Sequence, residues 1–272
     1  MRRFATSPIE IIFSLWRNRE LLKASAKREV LGRYQGSFLG LLWSFINPIL
    51  MLGVYTFVFS TIFKARWNAA SDSKTEFALV LFAGLIVFNI FGETISRAPS
   101  LIVNNPNYVK KVIFPLEILP VVALLSALFH GLVSLLVWML AYLMFFGLPH
   151  VTALYLPLII TPFLFYIMGL SWVLASLGVF LRDVSQLIGS IITVLMFMTP
   201  IFYPATALPE KFRYWQNINP LATVVEQVRS VLYWGEAPDF SMLSLQILAS
   251  IAVAWLGFAW FQKTRKGFSD VL

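Results

Sequence analysis

Apolar residues run in stretches long enough to cross a bilayer near 37–63, 77–96, 116–146, 154–181 and 242–261, with a shorter run near 187–203. A helix rises about 1.5 Å per residue, so a hydrocarbon core about 30 Å thick takes roughly 20 apolar residues. The pattern predicts an all-α integral membrane protein of six transmembrane helices. Its fifth run has about 13 residues before the Thr199-Pro200 break, which suits an interrupted or re-entrant helix better than a full crossing.

Two polar stretches flank these runs. In the first, Ser7 as N-cap, Pro8 at the first helical position and Glu10 closing a capping box predict a helix over 7–16. Ile9, Ile12, Phe13 and Trp16 fall on one stripe of it. With Arg17, Arg19 and Lys23 following, the helix is expected to lie in the membrane interface, the alternative being a helix packed on the spans. Residues 1–36 are thus read as a cytoplasmic amphipathic interface segment and 37–272 as one six-span membrane domain. Gly32, Gly36, Gly40 and Ser44 recur every fourth residue, which on a continuous helix makes a small-residue face for close packing. Ser171 and Ala175 repeat that spacing more weakly.

The second polar stretch, 200–240, contains a short helix at 208–216 and another beginning with Asn219 as cap and Pro220 at the first position. Leu221, Val224, Val225, Val228 and Leu232 keep helical spacing in it. Two short extracytoplasmic helices before the last span, dipping back toward the membrane, would form an outer lid, with Trp215, Asn219 and Pro220 its markers. The region is crowded with aromatic residues, Phe202, Tyr203, Phe212, Tyr214, Tyr233 and Trp234 among them, which an aromatic belt at the headgroups would also explain.

Composition agrees with lipid as the solvent: 59% of the 272 residues are hydrophobic and 12% charged, against roughly 45–50% and 25% in soluble proteins. The net charge of +8 would suggest nucleic acid in a soluble protein, but its placement points to topology and to no nucleic-acid partner. With the N-terminus inside, the cytoplasmic segments carry 15 Lys and Arg and the outer segments 6. Both termini are therefore expected in the cytoplasm. A cleavable signal peptide is not expected, because the first apolar run is long and lies behind 36 polar residues.

The residues offer no enzyme signature. There is no cysteine, hence no thiolate metal site, and there are two histidines. His130 lies within a span with no evident partner and reads as a hydrogen-bonded histidine rather than a proton relay, and His150 reads as a solvated turn residue. Glu93 and Glu117 are expected to snorkel at the ends of their spans. Ion-driven carriers commonly place acidic or unwound polar sites near the midplane, and no GxxxxGK[ST] loop is present to cradle nucleotide phosphates. Energy for any uphill transport is therefore expected from a separate ATPase. Its handle is the segment between the second and third spans, 100–115, with Leu101, Asn105, Tyr108 and Lys110 as contacts, although such a loop can also serve only to set topology. Arg182-Asp183 after the fourth span is open to the same two readings.

Taken in order along the chain, several segments give a resemblance to a known family. These are Arg28-Glu-Val-Leu-Gly-Arg-Tyr-Gln-Gly-Ser-Phe-Leu-Gly-Leu-Leu-Trp43 with Asn47-Pro48, Val58-Phe59, Ile62-Phe63, Lys110-Lys-Val-Ile-Phe-Pro115 and Leu119-Pro120. Leu181-Arg182-Asp183-Val184, Thr199-Pro-Ile-Phe-Tyr-Pro204 and Asn219-Pro220 complete the set. The chain resembles the permease subunits of ABC transporters that export bacterial surface polysaccharides such as O-antigen, capsule and teichoic acid.

The resemblance implies a homodimer in the bacterial inner membrane with two ABC ATPase subunits, moving a lipid-linked polysaccharide outward. ATP and Mg would be bound by the ATPase and no cofactor by this chain. It further implies that the first and fifth spans line the conduit, where Tyr55, Phe59, Phe197 and Phe202 are the candidate aromatic residues. Aromatic faces suit sugars because they offer apolar area with little rotamer entropy. The rival readings are an ABC permease for a lipid or drug and, outside that class, a membrane enzyme acting on polyprenyl-linked lipids.

Overall fold

In a computed structural model the chain is described over residues 6–62, 67, 74–110, 114–209, 211, 216 and 219–272. Lipid offers the backbone no hydrogen-bond partner, so apolar runs resolve as helices, and the described residues contain helices and turns with no strand. Two helices, α1 (Pro8–Arg17) and α2 (Arg19–Gly32), precede the spans. The first span is α3 (Trp43–Tyr55), continued by a π-helical segment Thr56–Ile62. Then come α4 (Lys74–Arg97), the short α5 (Pro106–Lys110), α6 (Ile118–Phe146), α7 (Leu156–Phe180) and α8 (Val184–Met198). After these, α9 (Pro220–Arg229) runs into a π-helical turn Ser230–Trp234, and α10 (Phe240–Thr264) is the last span, followed by α11 (Phe268–Val271).

Among the described residues, five helical stretches are long and apolar enough to cross a membrane: Gly40–Phe59, Thr75–Ser100, Ile118–Phe146, Val151–Phe180 and Phe240–Val271. The fifth run in chain order, α8, has 15 residues and so reaches only about 22 Å. It stops short, as the Thr199-Pro200 break predicts.

Contacts sort the connections to two ends of the molecule. At one end the Arg265 guanidinium bonds the Glu117 carboxylate at 2.6 Å and the Phe114 carbonyl at 2.8 Å, and Lys110 donates to the carbonyl of Leu272. Arg97 of α4 pairs there with Glu29 of α2. Both ends of the chain thus share one end of the molecule with the connection between the second and third spans. At the other end, the Thr152 hydroxyl bonds the Val231 carbonyl at 2.7 Å and Tyr142 packs edge-on to Tyr233.

The core lies around α4, against which α6, α7 and α9 pack. Two buried indoles satisfy their N–H groups on backbone carbonyls: Trp138 on Leu79 at 2.8 Å and Trp172 on Glu117 at 2.9 Å. In contrast, α8 has no buried residue and α3 has only Ser44.

The small-residue face expected at Gly32, Gly36 and Gly40 is not formed. The chain leaves α2 at Gly32 and turns twice, with φ of +83° at Gly36 and +49° at Gly40. A Cβ at any of the three would meet nothing within 4 Å. These two glycines turn the chain from α2 into α3 through a region that disfavours residues with a Cβ.

Close helix packing occurs elsewhere. A Cβ on Gly169 would overlap the Val253 carbonyl, one on Gly257 the Gly169 carbonyl, and one on Gly178 the Pro99 carbonyl. Absence of side chains lets α7 and α10 approach backbone to backbone. Ser171 and Ala175, noted for the same spacing, are fully buried on α7.

Candidate translocation path and coupling surface

Phe59 stacks on Phe202 with ring centroids 5.6 Å apart, Phe202 packs on Phe197 at 5.8 Å, and Tyr55 lies 6.4 Å from Phe59. The four aromatic residues expected from distant parts of the sequence therefore form one continuous row across α3 and α8. Phe77 of α4 stacks on Phe59 from behind at 5.8 Å. Phe197 is 60% exposed, so the row opens on the bare side of the molecule.

Tyr55 also borders a cavity of about 990 Å³ enclosed by α2, α3, α4, α6 and α8, with Asn47, Asn89, Ser126 and Ser134 among its polar lining. Its floor is charged. Arg33 bonds Glu93 at 2.6 Å, and His130 Nδ1 lies 3.2 Å from both Glu93 oxygens and 3.1 Å from Arg33. Arg97 approaches Glu93 at 3.8 Å.

This refines one expectation and corrects another. His130 is the hydrogen-bonded histidine expected but has partners that were not evident, Glu93 and Arg33, and Glu93 does not snorkel but gathers three basic groups. Four residues from the α2 terminus, α4 and α6 converge there, separated in sequence by up to 97 positions, which no local pattern can reveal. Arg33 remains 53% exposed, so the cluster adds little stability and its value is in fixing the mouth of the cavity. Glu117 is corrected in the same way. It is buried, accepting 2.8 Å from the Ser14 hydroxyl and 2.6 Å from Arg265.

In the connection between the second and third spans, Leu101 and Asn105 are half-buried, with the Asn105 amide donating to the Leu101 carbonyl at 2.9 Å. Tyr108 stacks on Phe114 at 4.2 Å, and its hydroxyl accepts from Arg28 of α2 at 3.1 Å. Of the four contacts chosen from sequence, Lys110 alone is exposed; the exposed tip is completed by Asn104, Pro106 and Asn107, which were not among those chosen. Lys111 lies outside the described residues.

Arg28, Glu29 and Arg33 of this one segment reach Tyr108, Arg97 and Glu93 respectively. So α2 is a strut between the connection and the cavity. A smaller space of about 240 Å³, lined by Ser25, Arg28, Tyr108 and Leu119, lies along it.

At α1, Ser7 accepts from the Glu10 amide as predicted, but the Glu10 carboxylate pairs with Arg17 at 3.1 Å instead of closing the box. Ile9, Ile12, Phe13 and Trp16 are all at least 60% exposed on one face. Ile11 and Leu15 pack inward beside the buried Ser14. The apolar stripe is left uncovered while the opposite face anchors to the protein.

Asn219 caps α9, accepting from the Leu221 amide at 3.1 Å with Pro220 at the first position. The helix dips back into the molecule, with Leu221, Val224, Val225, Val228 and Leu232, the positions expected to keep helical spacing, all buried against the core. Five inward apolar positions on so short a segment favour insertion beside α4 and α7 over an exposed cover. Trp215 and most of the helix expected over 208–216 lie outside the described residues.

Comparison with known proteins accords with this arrangement. The family described as ABC-2 type transporter matches residues 20–233. The chain is 25% identical over 264 residues to the O-antigen export system permease protein RfbA of Myxococcus xanthus, covering 96% of this chain and 99% of that one. It is 25% identical over 255 residues to RfbA of Klebsiella pneumoniae, covering 93% and 95%. Over 250 residues it is 24% identical to the polysialic acid transport protein KpsM of Escherichia coli, covering 86% and 90%. With multiple apolar spans, a charged cavity and a family match across most of its length, the chain belongs to the ABC-2 type transporter membrane family.

Proposed function

We propose that this chain is the membrane subunit of an ATP-driven exporter that moves a lipid-linked polysaccharide, most specifically O-antigen, outward across the bacterial inner membrane. It acts as a homodimer with two ABC ATPase subunits, which bind ATP and Mg, and both termini face the cytoplasm.

The observation that carries this reading is the row Tyr55–Phe59–Phe202–Phe197, which begins at the cavity and opens on the bare faces of α3 and α8. A polymer of sugars needs a path of flat apolar faces that grip loosely and repeat, and stacked aromatic rings supply it. Two copies facing each other through α3 and α8 would enclose such a path. The relatives named as O-antigen and polysialic acid transport proteins support polysaccharide as the cargo class, with O-antigen the finer assignment. A drug or single-lipid exporter would not need a row of this length.

The test is genetic complementation. In a strain lacking this gene, surface O-polysaccharide measured by antibody on intact cells should be lost and lipid-linked polymer should accumulate inside. The wild-type gene should restore export, and Tyr55→Ala with Phe202→Ala should restore less than about a tenth of it while still inserting. Normal surface polysaccharide in the deletion strain would overturn the assignment.

A further inference from the structure

Arg229, the last residue of α9, has a fully buried side chain. Its guanidinium donates from Nε to the Val80 carbonyl of α4 at 3.0 Å and from Nη2 to the Ile201 carbonyl at 2.8 Å. From Nη1 it donates to the Pro200 carbonyl at 2.6 Å and to the Glu226 carboxylate at 2.8 Å. A guanidinium withdrawn from water persists only where its donors are filled, and four of its five N–H groups are filled here.

The partners are informative. Pro200 and Ile201 follow the end of α8, where Thr199 is extended and the helical ladder stops. Backbone carbonyls of a buried non-helical segment in a membrane protein need donors from the protein itself. Arg229 supplies two of them, and the amide of Asn219, at the other end of α9, reaches the Thr199 hydroxyl at 3.1 Å.

Ile201 immediately precedes Phe202, the ring that stacks on Phe59 and packs against Phe197. From the opposite side the guanidinium lies 4.3 Å over the Trp67 ring. Trp67 packs on Phe77 at 5.5 Å and Phe77 on Phe59 at 5.8 Å. The contacts close a circuit: Arg229 to the break and Phe202, Phe202 to Phe59, Phe59 to Phe77, Phe77 to Trp67, and Trp67 back to Arg229. Gly84 leaves room for it, since a Cβ there would lie 2.7 Å from Nη2. A residue that merely fastened α9 to α4 would be served by the Val80 bond, yet two donors go to the break.

We propose that Arg229 is a positioning residue of the translocation path, holding the break after α8 so that Phe202 stands against Phe59. The proposal rests on reading the aromatic row as the path. Loss of Arg229 is expected to let the break move and the row come apart at its outer end, leaving assembly with the ATPase intact.

The chain has no cysteine, and Ile201 is fully buried, so Ile201→Cys reports directly on the break. In native membranes with the ATPase present, thiol labelling of this variant should be slow and should rise at least tenfold when Arg229→Lys is added. Surface polysaccharide of the host per recovered permease–ATPase complex should fall at least tenfold in Arg229→Lys, with the amount of complex unchanged. A purely structural role would instead lower the amount of complex and leave export per complex normal.

Continued protection of the thiol at position 201 in Arg229→Lys overturns the proposal, even where Phe202→Ala abolishes export and so upholds the path. Normal export by Phe202→Ala overturns the path reading instead, whatever the labelling shows. Should Arg229→Lys not assemble, Gly84→Ala, which pushes the guanidinium without removing its charge, takes its place under the same outcomes.

Discussion

Glu117 sits where three segments meet, taking the Ser14 hydroxyl of α1 on one oxygen and Arg265, just past α10, on the other. Both members of the ion pair are largely withdrawn from solvent. Removing one partner of such a pair leaves an uncompensated charge, at a cost of about 3–5 kcal/mol. Glu117→Ala should therefore lower stability by that order, whereas Ser14→Ala, which deletes one hydrogen bond, should cost about 1 kcal/mol. Thermal unfolding of the detergent-solubilised protein, followed by exposure of buried thiols introduced as reporters, would separate the two. The same reasoning explains why a lone Glu at the start of a span reads as a snorkelling residue in the sequence. Its partners are 103 and 148 positions away.

Between elements, the contrast lies between glycines that turn the chain and glycines that admit a neighbour. Gly169 and Gly257 let α7 and α10 meet backbone to backbone, so Gly169→Leu or Gly257→Leu should abolish accumulation of folded protein, since the obstruction is backbone and cannot yield. Gly32→Ala should be tolerated, having open space around it and ordinary φ, and Gly36→Ala should cost about 1–2 kcal/mol for its left-handed backbone. Expression level and gel-filtration profile in detergent are sufficient readouts. A fully folded Gly257→Leu variant would show that the α7–α10 crossing is not required. Close packing by small residues was the right physical principle, but a period of four marks a face only where the helix is continuous.

For the whole molecule, the proposed orientation rests on 15 basic residues expected on one side against 6 on the other. Cysteine at Ala207 should react with an impermeant thiol reagent on intact cells, and cysteine at Ser269 only after the membrane is opened; both positions are exposed. Ser25 is a poor reporter because it is buried. Reaction of Ser269→Cys in intact cells would reverse the topology. Coupling is the second question at this scale. Tyr108→Ala removes both the Phe114 stack and the Arg28 bond that ties α5 to the strut, whereas Tyr108→Phe keeps the stack. Export should fall severalfold in Tyr108→Ala, much less in Tyr108→Phe and least in Lys110→Ala, with insertion unchanged. Equal export by all three would make the connection a spacer.

Run lengths and caps were legible without a structure. The number and order of apolar segments, the shortness of the fifth, the Ser7 and Asn219 caps and the exposed stripe of α1 all follow from rules that act within about one helical turn or from the thickness of the bilayer. The four aromatic residues could be nominated from the resemblance, but their stacking needed α3 and the segment after α8 to be brought side by side. The charged cluster on Glu93, the Glu117 pair and the burial of Arg229 depend on which helix faces which. Sequence counts Arg229 as one more outer cation, because a basic residue at the end of a short helix looks the same whether it points to water or to a broken helix. Only the packing of α9 against α4 decides, since that contact excludes water and leaves the guanidinium and the freed carbonyls to satisfy one another.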